Sequence, residues 1–138
     1  LEKITHSSLC RSLLGLDKSI RFAGIANEDG LLMGFAHRNG LKPLLSTEER
    51  AQYAITAATR QFTRLRWEVL LGNILYASSH YAKLIRATIP VTDNNRRLSY
   101  VILMSFDPST NNFHEIIVEK VIPVVKKRRS TLLRLQAQ

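Results

Sequence analysis

Residues 22–34 read FAGIANEDGLLMG, two apolar runs on either side of a polar turn that ends in Asp29-Gly30. Asp-Gly between two such runs is a strong signal for a β-hairpin, because Gly accepts the positive φ angle that tight turns require. Gly24 and Gly34 lie inside the two runs, where a missing side chain permits close packing of a helix or a bulge. The sequence therefore predicts two antiparallel strands within residues 19–38.

Helices are predicted on both sides of this hairpin. A short amphipathic helix ending near residue 15 is indicated by the helical spacing of Leu9, Leu13 and Leu16. After the hairpin, Ser46 and Glu49 form a capping box, in which each side chain binds the other residue's backbone amide. We expect a helix from residue 47 to near residue 70, with an irregular ending possible from residue 65. Its apolar positions repeat along one face: Ile55, Ala58, Phe62, Leu65 and Val69.

Three further strands are predicted at residues 74–81, 83–91 and 98–106, which are rich in β-branched, aromatic and aliphatic side chains and separated by polar breaks. The nearly continuous apolar run at 100–104 is typical of a central strand covered on both faces. Pro90 cannot donate a ladder hydrogen bond, so we expect it at a strand end or an edge.

The C-terminal part combines a helical pattern with a concentration of positive charge. Asn112 and Glu115 mark a plausible helix start, and we expect Pro123 to kink or weaken the last turn before Lys126. No acidic residue occurs at 126–138, whereas this segment contains five of the basic residues of a chain with formal net charge +9. With 138 residues, 45% of them hydrophobic, the chain suits one domain at 1–125, followed by a basic tail at 126–138 that would be mobile unless its leucines are covered.

The predicted order α-β-β-α-β-β-β-α describes an α/β (α+β) fold of three layers, a central five-stranded antiparallel sheet with helices on both faces. This order resembles the roadblock/dynein light chain family and the wider profilin-like group. The resemblance rests on residues 22–34, the helix that begins at Ser46, and the strands at 74–81, 85–91 and 100–107. Residues 17–26, 83–90 and 114–123 also resemble a family of uncharacterised small proteins frequent in ammonia-oxidising archaea.

The roadblock resemblance implies a homodimer that pairs through the middle helix and the following strand, and that serves as a platform for small GTPases or larger assemblies. The positions implied for the dimer interface are Arg60, Phe62, Arg64, Trp67, Tyr76, Ser78 and His80. A solvated helix face remains the plainer interpretation of the arginines among them.

No catalytic or cofactor chemistry is indicated. Cys10 is the sole cysteine, so no intramolecular disulfide can form, and a reducing, cytoplasmic setting fits this composition. On an amphipathic helix, Cys10 is expected to act as a small buried apolar residue. The histidines are scattered singly, and neither a phosphate-binding loop nor a dinucleotide fingerprint is present. We therefore expect a non-enzymatic protein without a cofactor or metal.

Two alternative functions remain open at this point. The first is a small-ligand sensor of the PAS-like kind, with a cavity between the sheet and the middle helix. The second is binding of nucleic acid or another anionic surface through the tail. The predicted anion-binding residues are Lys126, Lys127, Arg128 and Arg129, although these residues can equally complement the negative end of the last helix.

Overall fold

A computed structural model describes residues 3–137. The eight predicted elements occur in the predicted order, but a short additional helix follows the middle helix, and a π-helical turn divides the last helix into two. Their bounds are α1 His6–Leu14, β1 Ile20–Asn27, β2 Leu32–His37, α2 Thr47–Leu65, α3 Glu68–Leu71, β3 Ala77–His80, β4 Ile85–Thr92, β5 Leu98–Phe106, α4 Phe113–Ile116, the π-turn Ile117–Val121 and α5 Ile122–Gln136.

The strands form one antiparallel sheet in the order β2-β1-β5-β4-β3, which confirms the predicted fold class. All nine residues of β5 are buried, as expected for a central strand, because β1 and β4 flank it and helices cover both of its faces. The edge strands are therefore β2 and β3.

The two faces of the sheet carry separate apolar cores. On the α1/α5 face, side chains such as Leu13, Ile102 and Phe106 pack between the sheet and the helices α1, α4 and α5. On the α2 face, Val101 and Leu103 pack against alanines of α2. The alternation of β5 side chains between the two cores follows from the two-residue period of a strand.

Backbone geometry explains how the hairpin fits between these helices. Gly30 adopts φ +85°, and a Cβ at that position would lie 2.5 Å from the Cα of Ile55 in α2. A Cβ at Gly34 would lie 2.9 Å from the backbone nitrogen of Ser7 in α1. The predicted close approach of a helix to the hairpin is thus confirmed at Gly34.

The middle helix is shorter than its longest predicted extent. Both partners of the predicted capping box form their hydrogen bonds, and Glu49 N lies 3.1 Å from Ser46 Oγ. The helix ends at Leu65, and after a turn at Arg66 and Trp67 the chain forms the short helix α3. The irregular ending that the sequence left open is therefore the one observed.

The basic segment was expected to be mobile unless its leucines are covered, and the structure meets that condition for Leu132. The basic segment continues α5 as far as Gln136, and Leu132 is buried on the α1/α5 face. Tyr100 Oη donates a hydrogen bond to the Leu132 carbonyl at 3.0 Å, which fixes the helix to the central strand. Pro123 lies in the first turn of α5, directly after the π-turn, so the missing amide is accommodated where the helix changes its hydrogen-bonding pattern.

Candidate protein-interaction surface

The helix α2 presents its smallest side chains to the sheet. Ala54, Ala57 and Ala58 are buried together with Gln61, whereas Ile55 is 53% exposed and Phe62 is 70% exposed. Of the five apolar positions predicted to share one face, only Ala58 is fully buried. The buried stripe of α2 is shifted by about one residue from the predicted stripe. The small alanine side chains face the sheet because they allow the helix to lie close to it.

The chain beyond α2 exposes further large apolar side chains. Trp67 is about half exposed, and the three apolar side chains of α3 are more exposed still, with Leu71 at 82%. We define the α2–α3 patch as Phe62, Trp67, Val69, Leu70, Leu71 and Leu75. Apolar groups concentrated in this way on a water-exposed surface typically mark a site of interaction with another molecule.

The strand β3 lies at the edge of the sheet, beyond this patch along the chain. Its four residues pair with β4 from Ala77 opposite Thr88 to His80 opposite Ile85, and among the described residues no strand pairs with its outer side. The sequence Ala-Ser-Ser-His lacks the lysines and prolines that commonly block an exposed edge. This edge is therefore competent to accept another strand.

The predicted interface residues divide between the two faces of the sheet. Arg60 and Arg64 lie beside Ala77 and Ser79 on the α2 face, around a polar crevice of about 20 Å³. Trp67 and Phe62 extend this side as part of the α2–α3 patch.

On the opposite face, Tyr76 is hydrogen-bonded through its hydroxyl to Nδ1 of His114, and the His80 ring lies 4.8 Å from that of Phe113. Ser78 is exposed between Tyr76 and His80 in the strand alternation. The structure therefore does not bring the strand residues and the helix residues onto one face. The side chains that accompany the α2 arginines are Ala77 and Ser79, which the strand period could have identified.

Sequence reasoning also missed Gln61, which is fully buried between α2 and the sheet. Its Oε1 lies 3.4 Å from Thr88 Oγ1, and its Nε2 has no hydrogen-bond partner among the described residues. A glutamine in an amphipathic helix is ordinarily assigned to the solvent side, so only its position in the alanine stripe could have indicated burial.

The four predicted anion-binding residues differ in their surroundings. Lys126 and Lys127 are exposed, and Arg128 is half-buried. Arg129 donates through Nε to the Thr92 carbonyl at 2.9 Å and through Nη2 to Asn94 Oδ1 at 3.2 Å. Arg129 therefore fixes α5 to the β4–β5 turn, which leaves the two lysines as the more accessible cations.

The described residues offer little reactive chemistry. Burial raises the pKa of the Cys10 thiol to about 12, which keeps it protonated and agrees with a buried apolar role. Within residues 3–137, no three His, Cys, Asp or Glu side chains are placed to hold a metal ion, and no helix has the length and apolar character to cross a membrane.

Comparison with solved structures identifies the architecture. The Roadblock/LC7 domain from Streptomyces avermitilis matches with a TM-score of 0.70 at 10% sequence identity, over 94% of this chain and 99% of that chain. The chain has a roadblock-like fold. MglB from Myxococcus xanthus matches with a TM-score of 0.66 at 15% identity, covering 94% and 99% of the two chains.

A further structure, described as MglB with a tetrameric arrangement, matches with a TM-score of 0.65 at 13% identity, over 94% of this chain and 86% of that one. No family model matches the sequence, and neither does any curated protein. At these low identities the roadblock likeness establishes how the chain folds, and the function has to be argued from its surface.

Proposed function

We propose that this protein is a non-enzymatic interaction module that forms a homodimer through the α2–α3 patch and the edge of β3. The observation that carries the proposal is the α2–α3 patch itself, in which three consecutive residues of one short helix are each at least 76% exposed. Apolar surface gains roughly 25 cal/mol for each Å² removed from water, so this region favours a partner that covers it.

A second copy of the chain suits this surface on geometric grounds. Two identical β3 edges can pair about a two-fold axis, because in an isologous contact each copy offers the other the same residues. The patch adjoins the edge along the chain, so one contact can cover both. The relative described with a tetrameric arrangement is in keeping with a fold that self-associates.

The dimer would serve as a platform for further proteins. The roadblock resemblance points to a small GTPase or a signalling assembly as the class of partner. The α2 arginines favour a partner with an acidic surface, because Arg60 and Arg64 form no ion pair with a carboxylate among residues 3–137.

The dimer is tested by measuring molar mass with light scattering at tens of micromolar protein. We expect twice the 15.7 kDa of one chain, and a shift to the monomer in a Phe62→Ser, Leu70→Ser double variant. The matched control is Leu31→Ser, which removes an apolar side chain that is 64% exposed and lies outside the patch, and which should leave the dimer intact. A wild-type monomer would exclude the proposed assembly.

The partner is tested by affinity capture from the native organism, with the wild-type chain and an Arg60→Glu, Arg64→Glu double variant as baits. A GTPase captured by the wild type and lost with the charge reversal supports the platform if light scattering shows that the double variant is still a dimer. Equal capture by both baits contradicts a role for these arginines.

Binding of nucleic acid through α5 is a second candidate, favoured by the exposure of Lys126 and Lys127 beside the anchored Arg129. Phosphate-driven binding must weaken steeply between about 50 and 200 mM salt. We expect labelled duplex DNA to show this dependence with the wild type and to lose affinity with Lys126→Gln, Lys127→Gln. Salt-independent binding, or none, would contradict this candidate.

A further inference from the structure

A cleft lies between the sheet and the N-terminal half of α2, beneath the loop at residues 41–45. Its volume is about 40 Å³, well below the roughly 300 Å³ at which pockets for small molecules begin. The lining includes Arg21, His37, Arg50 and Arg86 and contains no acidic residue. The cleft is therefore too small for an enclosed small-molecule ligand but has room for a single charged group.

Two of these arginines are held in place by aromatic rings rather than by carboxylates. The Arg50 guanidinium lies 4.6 Å from the centre of the Phe35 ring, and that of Arg86 lies 3.6 Å from the centre of the Tyr53 ring. Among the described residues neither arginine forms an ion pair, whereas Arg21 is bound to Asp107. Stacking positions the guanidinium and leaves its N–H donors available to an anion.

His37 also lines the cleft. Its Nδ1 is inaccessible to solvent and has no hydrogen-bond partner in the described chain. Burial, together with the charge of Arg50, lowers the pKa of His37, so the ring is neutral at physiological pH. A neutral His37 adds no charge to the cleft, so the positive charge of the lining comes from the arginines.

An open apolar groove of about 480 Å³ adjoins the cleft and shares part of its lining, including Leu44, Leu45 and Leu84. Tyr81 also lines this groove. Ligands of drug-like size are usually enclosed by their pockets, whereas a shallow groove next to a charged cleft suits neighbouring side chains of an extended chain.

We propose that this cleft and groove together bind an extended segment of a partner protein, with an Asp or Glu side chain in the cleft and an adjacent apolar side chain in the groove. The proposal deepens the interaction function proposed above and rests on it, because it names the chemistry that a partner of the module would present. The charge of the lining selects the carboxylate, and the leucines select its apolar neighbour.

The test is a fluorescence anisotropy titration with a fluorescein-labelled peptide that alternates aspartate and leucine. We expect saturable binding by the full chain and loss of binding with two altered peptides, one with asparagine for aspartate and one with serine for leucine. Arg50→Gln should weaken binding about tenfold or more, as expected for the loss of a hydrogen bond between charged groups.

Arg11→Gln is the matched control, because it removes the same charge from an exposed position on α1 and should leave the affinity unchanged. Thermal melting establishes that the Arg50 variant is folded, and the altered peptides test the site without any change to the protein. Light scattering on the same samples separates the two proposals, since a dimer that binds no peptide contradicts the cleft alone.

Three results would overturn the assignment. The first is equal binding of the asparagine peptide, which would remove the role of the carboxylate. The second is an unchanged affinity of the Arg50 variant. The third is a failure of the peptide to bind while octanoate binds directly. This result would assign the site to a small amphiphilic acid instead.

Discussion

On the α1/α5 face of the sheet, the helices contribute large buried side chains such as Leu13, Ile116 and Leu132, and this core is closed to water. On the α2 face, the helix turns alanines inward and larger apolar side chains outward. Among the described residues, every strongly exposed large apolar side chain lies between Leu31 and Tyr81, and none belongs to α1 or α5.

The difference shows which face is complete within one chain. The α1/α5 core obtains its stability from burial within the monomer, whereas the α2 face leaves apolar surface that only another molecule can cover. The comparison can be tested with substitutions that act on one face and leave the other unchanged.

The largest effect is expected from Leu132→Ala in the closed core. Removal of a buried leucine side chain costs about 2–5 kcal/mol of unfolding free energy, measured by urea denaturation. The companion variant Leu71→Ser removes a side chain that is 82% exposed and should act through the dimer alone. The loss of unfolding free energy caused by Leu71→Ser should therefore depend on protein concentration. The loss caused by Leu132→Ala, relative to wild type, should not. Similar, concentration-independent losses for both would contradict the distinction between the faces.

A smaller loss is expected from Gly34→Ala, where α1 approaches the hairpin. The added Cβ would meet backbone atoms of His6 and Ser7 at 3.0 and 2.9 Å, so the helix has to move away from β2. Overpacking of this kind typically costs about 1–3 kcal/mol, seen as a lower urea midpoint. The control is Gly15→Ala, where the nearest atom would be 3.6 Å away. If both variants keep wild-type stability, the close packing of α1 is not a constraint.

The architecture was predictable because its signals are local and repeated. The Asp29-Gly30 turn, the capping box at Ser46 and the apolar run at 100–104 each depend on neighbouring residues, and all three formed as expected. The course of residues 126–136 was not predictable in this way. Its helix depends on Leu132 and on the Tyr100 hydroxyl, which are distant in sequence and meet only in the folded chain.

The candidate surface was predicted less well, for reasons that apply to this helix. Ile55 and Phe62 were grouped with Ala58 because all are apolar, but the distance between α2 and the sheet is set by the smallest side chains, and the larger ones are displaced outward. The cleft at Arg50 and His37 could not have been found from spacing alone, because loop 41–45, β2 and β4 meet there only after folding.

A third substitution, Tyr100→Phe, tests how α5 is fixed to the closed face. The hydroxyl donates to the Leu132 carbonyl and lies 3.2 Å from His6 Nε2, so its removal leaves a buried carbonyl with one partner fewer. Net losses for such hydrogen bonds are about 1 kcal/mol. Hydrogen exchange should show faster opening of α5 with little change in β4. Uniform acceleration across the sheet would indicate a general loss of stability instead.

The smallest effect concerns an ion pair at the end of the sheet, beside the cleft. Arg38 donates two hydrogen bonds to Asp107, at 2.8 and 2.9 Å, and Arg21 donates a third. These contacts, above all those from Arg38, lower the pKa of Asp107 in the folded protein.

A carboxyl group whose pKa is lowered by folding stabilises the protein at pH values above its unfolded-state pKa of roughly 3.9. This contribution is lost as the pH falls through the lower, folded-state pKa. Asp107→Asn should therefore flatten the fall in unfolding free energy below about pH 5, measured by urea denaturation across pH. The carboxylate is about one-third exposed, so the loss at neutral pH should be modest. Arg38→Gln should remove most of the same pH-dependent component, and the double variant should add little. Fully additive losses would instead show that the two side chains act independently.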